Sequence, residues 1–335
     1  MTLLSWGAAF LATGAAVVFA GALLARAADA IAEHTGIGRL WVGSVLLAAA
    51  TSLPELLVDV SAVRLGAPDL AVGDLFGSSL ANMLILAALD LAFPRKRLLA
   101  QATLDHALSA SLAISLNAAA ALLILVRFDA SAGGVSAGSL LLAVAYLAGA
   151  RTVYRQVRRG GVREGAVPVT TGRSALSLRG AAVRFGAGAL VIAVAAPLLA
   201  VSARELAAVS GLGETFVGTW LVGLTTSLPE LVSSLAAVRL GAFDLAVGNL
   251  FGSNAFNMLV FPLLDLAEPR GSIFTVVDPS HVVSGVFAVV LMSLGLAAIV
   301  YRAERRFAML EPSSLLMLLV YALALAALYR QAAAV

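Results

Sequence analysis

Apolar residues fill ten stretches of this chain, each close to the roughly 20 residues that a helix needs to cross a bilayer, and polar residues gather between them. The stretches cover about 3–26, 40–64, 70–93, 104–126, 136–155, 177–202, 214–239, 245–267, 281–301 and 313–330. The first is too long for an ordinary signal-peptide core and has no clear cleavage site, so it counts as a span. One long polar segment, 156–176, lies between the fifth and sixth stretches. It reads as a cytoplasmic linker between an N-terminal five-helix half, 1–155, and a C-terminal half, 177–335. The expected architecture is an all-α polytopic membrane protein of ten transmembrane helices.

The halves are related. Residues 41–94 align without a gap to 216–269 at a constant offset of 175, with about 32 of 54 positions identical, far beyond what shared apolar composition produces. Each copy spans two helices, the second and third in one half and the seventh and eighth in the other. Equivalent helices are five spans apart, and five is odd, so the copies cross the membrane in opposite directions. Two inverted five-helix repeats are the architecture of many secondary transporters, whose substrate site sits near the midplane where the repeats meet.

Composition agrees with this pattern. The chain has 335 residues, 61% of them hydrophobic and 12% charged, against about 25% charged in soluble domains. That excludes a soluble enzyme and a nucleic-acid-binding domain, and the absence of Cys excludes a disulfide scaffold and thiolate metal sites. The net charge of +3 reports topology. Arg26, Arg39, Arg95, Lys96, Arg97, Arg151, Arg155, Arg158, Arg159, Arg163, Arg173, Arg302, Arg305 and Arg306 fall on alternate loops, whereas the other side has scattered charges such as Arg64, Arg127, Arg204 and Arg270. The positive-inside rule puts the first set in the cytoplasm and both termini outside. The expected location is the cell (inner) membrane.

The repeated residues that matter are polar and sit inside apolar stretches. Thr51, Ser52, Leu53, Pro54 and Glu55 recur as Thr226, Ser227, Leu228, Pro229 and Glu230. An ionised side chain near the bilayer centre costs about 2.5–3.5 kcal/mol on insertion scales, and neither glutamate has an internal Lys or Arg partner. They are therefore protonated or hold a cation. Each proline removes an N–H and crowds the carbonyl one turn back, freeing backbone oxygens near Ala48 to Ala50 and Gly223 to Thr225. Carboxylate, hydroxyl and carbonyl together make an all-oxygen set suited to a hard cation such as Ca2+. The partner helices add Gly77, Ser78 and Asn82, and Gly252, Ser253 and Asn257, with each Ser and Asn one turn apart on a shared face.

These motifs resemble the cation/Ca2+ exchanger superfamily, whose inverted alpha-repeats look like G-T-S-L-P-E and G-N-x-x-G-S-N-x-x-N. The resemblance covers essentially the whole chain and is of the prokaryotic Na+/Ca2+ exchanger type. It implies a metal site built from Glu55, Glu230, Asn82, Asn257, Thr51, Thr226, Ser52, Ser227, Ser78 and Ser253, with the carbonyls near Ala48 and Gly223. It implies exchange of Ca2+ for Na+ or H+ by alternating access, probing the two sides of the bilayer with no cofactor and no obligate protein partner. The chain departs from the pattern in places. Asp74 stands where the second copy has Asn249, Ser79 replaces the Asn254 of the fuller motif, and Ala50 or Thr225 precedes the Thr-Ser string instead of Gly. Asp59, one turn after Glu55, matches Ser234; an asymmetric carboxylate there would change which ions fit or add a protonatable group, but the favoured reading places it at a helix end in water. Family members that also carry K+ have Asp where this chain has Asn82 and Asn257, which argues against K+ dependence.

Charge arithmetic gives two versions of the function. Two carboxylates balance one Ca2+, three Na+ leave the site with one positive charge, and two protons leave it neutral. The hydroxyls and carbonyls suit additional Na+ positions, so Na+/Ca2+ exchange, used for Ca2+ extrusion, is preferred over H+/Ca2+ exchange through the same glutamates. The first and sixth spans, rich in Gly and Ala, would slide across the repeat core. No HExxH motif supports an intramembrane zinc enzyme, and a closed midplane site between inverted repeats favours a carrier over a channel. His34, His106 and His281 are expected to make hydrogen bonds near span ends, and Asp90 and Asp265 to cap helices.

Overall fold

The computed structural model describes residues 3–93, 98–163, 176–210, 226–301 and 312–333. Helix α1 (Leu3–Thr35) leads into a second span in four pieces: α2 (Arg39–Trp41), a π-helical turn (Val42–Leu47), α3 (Ala48–Thr51) and, beyond a break at Ser52, α4 (Leu53–Arg64). Then come α5 (Pro68–Ala92), the short α6 (Leu98–Gln101), α7 (His106–Leu125), a small hairpin of β1 (Ser131–Ala132) and β2 (Val135–Ser136), and α8 (Ala137–Arg163). The second half contains α9 (Leu178–Ser210), α10 (Leu228–Leu240), α11 (Phe243–Leu259), α12 (Phe261–Ala267), the short α13 (Ile273–Val276), α14 (His281–Tyr301) and α15 (Pro312–Ala333).

Among the described residues, eight helical stretches are long and apolar enough to cross a membrane, and the bent pair Arg39–Thr51 and Leu53–Arg64 makes a ninth. Helix α10 is the described end of the expected span 214–239; residues 214–225 lie outside the described set, as do most of the linker, 164–175, and the basic loops around 95–97 and 302–306. The ten-helix architecture accommodates all of these elements. Three boundaries differ from expectation by two turns or more: α1 runs on to Thr35, α8 to Arg163 and, in the second half, α9 to Ser210; for the first two the reason is plain. Both extensions are polar helical turns that hydropathy leaves out.

The repeated helices form the centre. About 72% of the apolar window of α5 and 67% of that of α11–α12 is buried, against 28% for α8 and 22% for α15. The outer helices present Leu11, Phe19, Leu141, Val144, Leu190, Val194, Leu319 and Leu323 outward, as helices facing lipid should. Small residues let the central helices approach. A Cβ on Gly252 would lie 2.2 Å from the Ser44 carbonyl oxygen, so α11 rests directly on the backbone of the π-helical turn. The α4–α5 and α10–α11 connections repeat as well: Gly66 and Gly241, 175 residues apart, both take positive φ, 84° and 77°, which glycine adopts without steric cost.

Polar clasps hold the two halves together, and they obey the repeat offset. Asp244 Oδ1 accepts from the Thr103 amide (2.9 Å) and from His106 Nε2 (3.0 Å). Its counterpart Asp69 Oδ1 accepts from the Asp278 amide (2.7 Å) and from His281 Nε2 (3.1 Å). Each clasp joins an aspartate of one half to a histidine of the other, as a two-fold operation exchanging the halves requires. Because the repeats are inverted, one clasp lies toward each face of the membrane. His34 Nε2 reaches the Leu176 carbonyl at 2.5 Å. All three histidines thus make the hydrogen bonds expected near span ends.

Asp90 and Asp265 bind backbone and side-chain groups at or near the starts of other elements. Asp90 accepts from the Leu99 amide (3.1 Å) and the Ser314 hydroxyl (2.8 Å), and Asp265 from the amides of Ile273 and Ser136 (2.8 Å each). Past α12, the Arg270 guanidinium forks onto both Glu268 oxygens at 2.7 Å and holds that carboxyl below the ordinary range.

Two substitutions test this packing. Gly252→Val forces a side chain into the Ser44 backbone, and overpacking of that kind costs about 1–3 kcal/mol or more. The thermal midpoint of the purified protein should fall by several degrees, whereas Gly186→Ala, with no atom within 4 Å of the added Cβ, should hold it. Equal midpoints would refute the close helix approach. Asp265→Ala strands two buried amides at about 1–3 kcal/mol each, so it too should lower the midpoint markedly; an unchanged midpoint would mean that water replaces both bonds.

Candidate functional site

The site forms where two broken helices meet. At Ser52 the backbone leaves helical geometry (φ −89°, ψ 4°), and the segments on either side diverge by 42°. Ser227 repeats this geometry (φ −81°, ψ 4°) at the start of α10. In each case the proline is the second residue of the new helix, where its missing N–H costs little. The break leaves the Thr-Ser pair before the helix and the glutamate in its first turn, all facing the centre of the molecule.

Eleven of the twelve expected site residues are described, and every one is buried, none more than 1% exposed: Glu55, Glu230, Asn82, Asn257, Thr51, Thr226, Ser52, Ser227, Ser78, Ser253 and Ala48. Gly223 lies outside the described residues. Glu230 joins the halves: its Oε1 accepts from Ser52 of the first copy at 3.1 Å and from Ser253 of its own copy at 3.4 Å. Among the described residues no buried Lys or Arg accompanies Glu55 and Glu230.

Several of these buried oxygens have no hydrogen-bond partner. They are Glu55 Oε2, Glu230 Oε2, Ser78 Oγ, Ser227 Oγ, Asn82 Oδ1 and Asn257 Oδ1. A stranded buried polar atom costs about 1–3 kcal/mol, and native proteins hold few of them. Six such oxygens, three from each repeat, match the six to eight that a hard cation takes. Among the described residues no three His, Cys, Asp or Glu side chains come together as a metal cluster, so hydroxyl and amide oxygens must make up most of any coordination shell.

The Ala48 carbonyl differs from expectation. It accepts from the Ser52 amide (2.9 Å) and lies 3.2 Å from the Thr51 hydroxyl, because the helix holds its bonding up to the break. The carbonyl that loses its usual donor to Pro54 is that of Ala50. Asp59 is also corrected: it is fully buried, not at a helix end in water. Helix α4 continues beyond it to Arg64, and α5 covers it.

A layer of asparagines supports the site. Asn82 Nδ2 donates to Asn254 Oδ1 (2.8 Å), which turns the Asn82 oxygen inward, and Asn254 Nδ2 donates to the Ser79 carbonyl (3.3 Å). Asn117 on α7 donates to the backbone oxygens of Asn254 (3.1 Å) and Ala113 (2.9 Å). Asn117 escaped the sequence reading because it lies outside the repeat motif and its counterpart at the offset is Met292. Its signal was a single amide in an otherwise apolar stretch. Ser233, which accepts from Asn249 at 3.1 Å, lies inside the repeat and was missed because its counterpart is Val58.

Comparison with known proteins agrees with this geometry. The chain is 30% identical over 257 residues to inner membrane protein YrbG of Escherichia coli, covering 73% of this chain and 74% of that one. It is 46% identical over 57 residues to the sodium/calcium exchanger MaX1 of Methanosarcina acetivorans, a stretch of 17% of this chain and 16% of that one. Its fold matches a structure of the sodium–calcium exchanger NCX_Mj soaked with Na+ and Sr2+, with a TM-score of 0.73, 20% identity, and coverage of 97% of this chain and 99% of that one. Residues 5–152 and 180–330 match the family described as sodium/calcium exchanger protein. With both halves matched and the buried oxygen site at their junction, the chain belongs to the sodium/calcium exchanger family of membrane transporters.

Proposed function

We propose that this protein is a secondary antiporter that moves Ca2+ in exchange for Na+ across the cell (inner) membrane, in the direction of Ca2+ extrusion, with both termini outside. The observation that carries the reading is the set of six buried, unpartnered oxygens around Glu55 and Glu230. Ca2+ in that set neutralises the two carboxylates and fills the bonds that the protein leaves open. Na+ competes for the same oxygens, with Thr51 and Thr226 hydroxyls adjoining, and three Na+ in place of one Ca2+ make exchange electrogenic. The MaX1 relative, named as a sodium/calcium exchanger, supports Na+ as the counter-ion. A second reading, H+/Ca2+ exchange, draws on the free oxygens of Glu55 and Glu230, which protons would satisfy equally well.

The packing is compatible with alternating access. Helices α1 and α9 lie side by side as the most extensive helix pair and pack against α10 and α4. Their contacts are tight and smooth: a Cβ on Gly188 would lie 3.1 Å from Leu24, and one on Gly21 would lie 3.0 Å from Val232 on α10. Such faces allow a paired slide of α1 and α9 across the repeat core, opening the site first to one side and then to the other.

In proteoliposomes, Glu55→Gln and Glu230→Gln should each lower Ca2+ exchange on the order of 100-fold or more, because one carboxylate of the pair is lost. Ser52→Ala and Ser253→Ala, which remove the donors that orient Glu230, should lower apparent Ca2+ affinity by about tenfold. A glutamine variant that exchanges Ca2+ at the wild-type rate would overturn the proposal.

A further inference from the structure

The two repeats differ at one buried place, and the difference is electrostatic. In the second copy, Asn249 on α11 is fully satisfied. Its Nδ2 donates to Ser233 and Ser234 on α10, both at 3.1 Å, and its Oδ1 lies 3.3 Å from the Thr51 hydroxyl of the other half. The offset of 175 places Asp74 on α5 at the position of Asn249, Asp59 on α4 at that of Ser234, and Thr226 at that of Thr51. The Thr226 contact is preserved, with its hydroxyl 3.5 Å from Asp74 Oδ1.

The rest of the network is not preserved. Where an amide donates to a hydroxyl in one copy, two carboxyl groups hold the same two positions on the packed helices α4 and α5 in the other. Asp59 is completely buried and both its oxygens lack a partner; Asp74 Oδ2 lacks one as well. Three acceptor oxygens are thus buried without a partner where the second copy has two donated hydrogens. Two carboxylates at these two positions inside an apolar bundle need positive charge between them, and among the described residues no buried Lys or Arg supplies it.

We propose that Asp59 and Asp74 bind a second cation, a hard, oxygen-seeking Na+ or Ca2+, with the Thr226 hydroxyl alongside. This position lies one helical turn from Glu55 and Ser78, roughly 6 Å along the helix axes, on the side of the α4–α5 connection. It exists in the first repeat alone, so the otherwise two-fold core has an asymmetric ion site. The second copy is its built-in control: the same backbone, closed by Ser and Asn, needs no ion.

The inference rests on the exchanger reading for its choice of ions, and counting bound ions separates the two. Equilibrium binding of 45Ca2+ and 22Na+ to the purified full-length protein gives ions per chain for wild type, for Asp59→Ser/Asp74→Asn and for Glu55→Gln/Glu230→Gln. The first double variant installs the residue pair of the second copy and should lose one bound cation per chain, with central Ca2+ binding retained. The second should retain one cation, which disappears when all four substitutions are combined. This arm carries the test if the aspartate double variant does not fold. Wild-type counts of both ions in Asp59→Ser/Asp74→Asn, or no ion left in Glu55→Gln/Glu230→Gln, would overturn the second site: a proton shared by the aspartates then supplies the charge. A wild-type chain that binds neither ion would overturn the exchanger reading itself.

Discussion

An ionised carboxylate at bilayer depth costs several kcal/mol unless a positive charge meets it, and Glu55 and Glu230 occupy that position with no buried basic partner among the described residues. The surrounding structure follows from this constraint. The Pro54 and Pro229 breaks bring each glutamate into the first turn of a new helix, where the preceding Thr and Ser can face the same space. Ser52 and Ser253 fix one oxygen of Glu230 from opposite halves, leaving the second oxygen open. Asn254 holds the amide end of Asn82, so the carbonyl end stays open too. Hydrogen bonds orient these side chains and leave a set of buried oxygens without a partner.

Two-fold inversion solves the geometric part of the same problem. A closed shell of oxygens must be approached from either side of the membrane, and two copies crossing in opposite directions supply equivalent walls. The Asp244–His106 and Asp69–His281 clasps tie the halves near both faces, while Gly252 lets α11 rest on the π-helical turn. The core is thereby tied together, and the proposed slide of α1 with α9 would run along it. The symmetry is broken where Asp59 and Asp74 replace Ser234 and Asn249, at a point one turn from the central glutamates.

Much of this was legible in the sequence because its signals are local. Ten apolar stretches follow from the length of a bilayer, and Thr-Ser-Leu-Pro-Glu joins a charge, a helix breaker and two hydroxyls within five residues. The capping role of Asp90 and Asp265 could be read from their position at span ends. What escaped depends on tertiary contact. Asn117 comes from a helix outside the repeat, so no internal comparison marked it. Asp59 looked like a helix-end residue because hydropathy does not reveal that α5 covers it. The histidine clasps recur at the same offset of 175, but their partners lie in opposite halves, and no one-dimensional pattern joins residues 138 or 212 positions apart.

The most direct test is 45Ca2+ uptake into proteoliposomes, comparing an outward Na+ gradient with an outward H+ gradient while the membrane potential is clamped. Uptake driven by internal Na+ and made steeper by an inside-positive potential is the expected result, because three Na+ leaving for one Ca2+ entering carries one positive charge out. Uptake driven by internal acid alone would contradict Na+ coupling and turn Glu55 and Glu230 into proton carriers. Ca2+ flux that needs neither gradient would contradict exchange altogether.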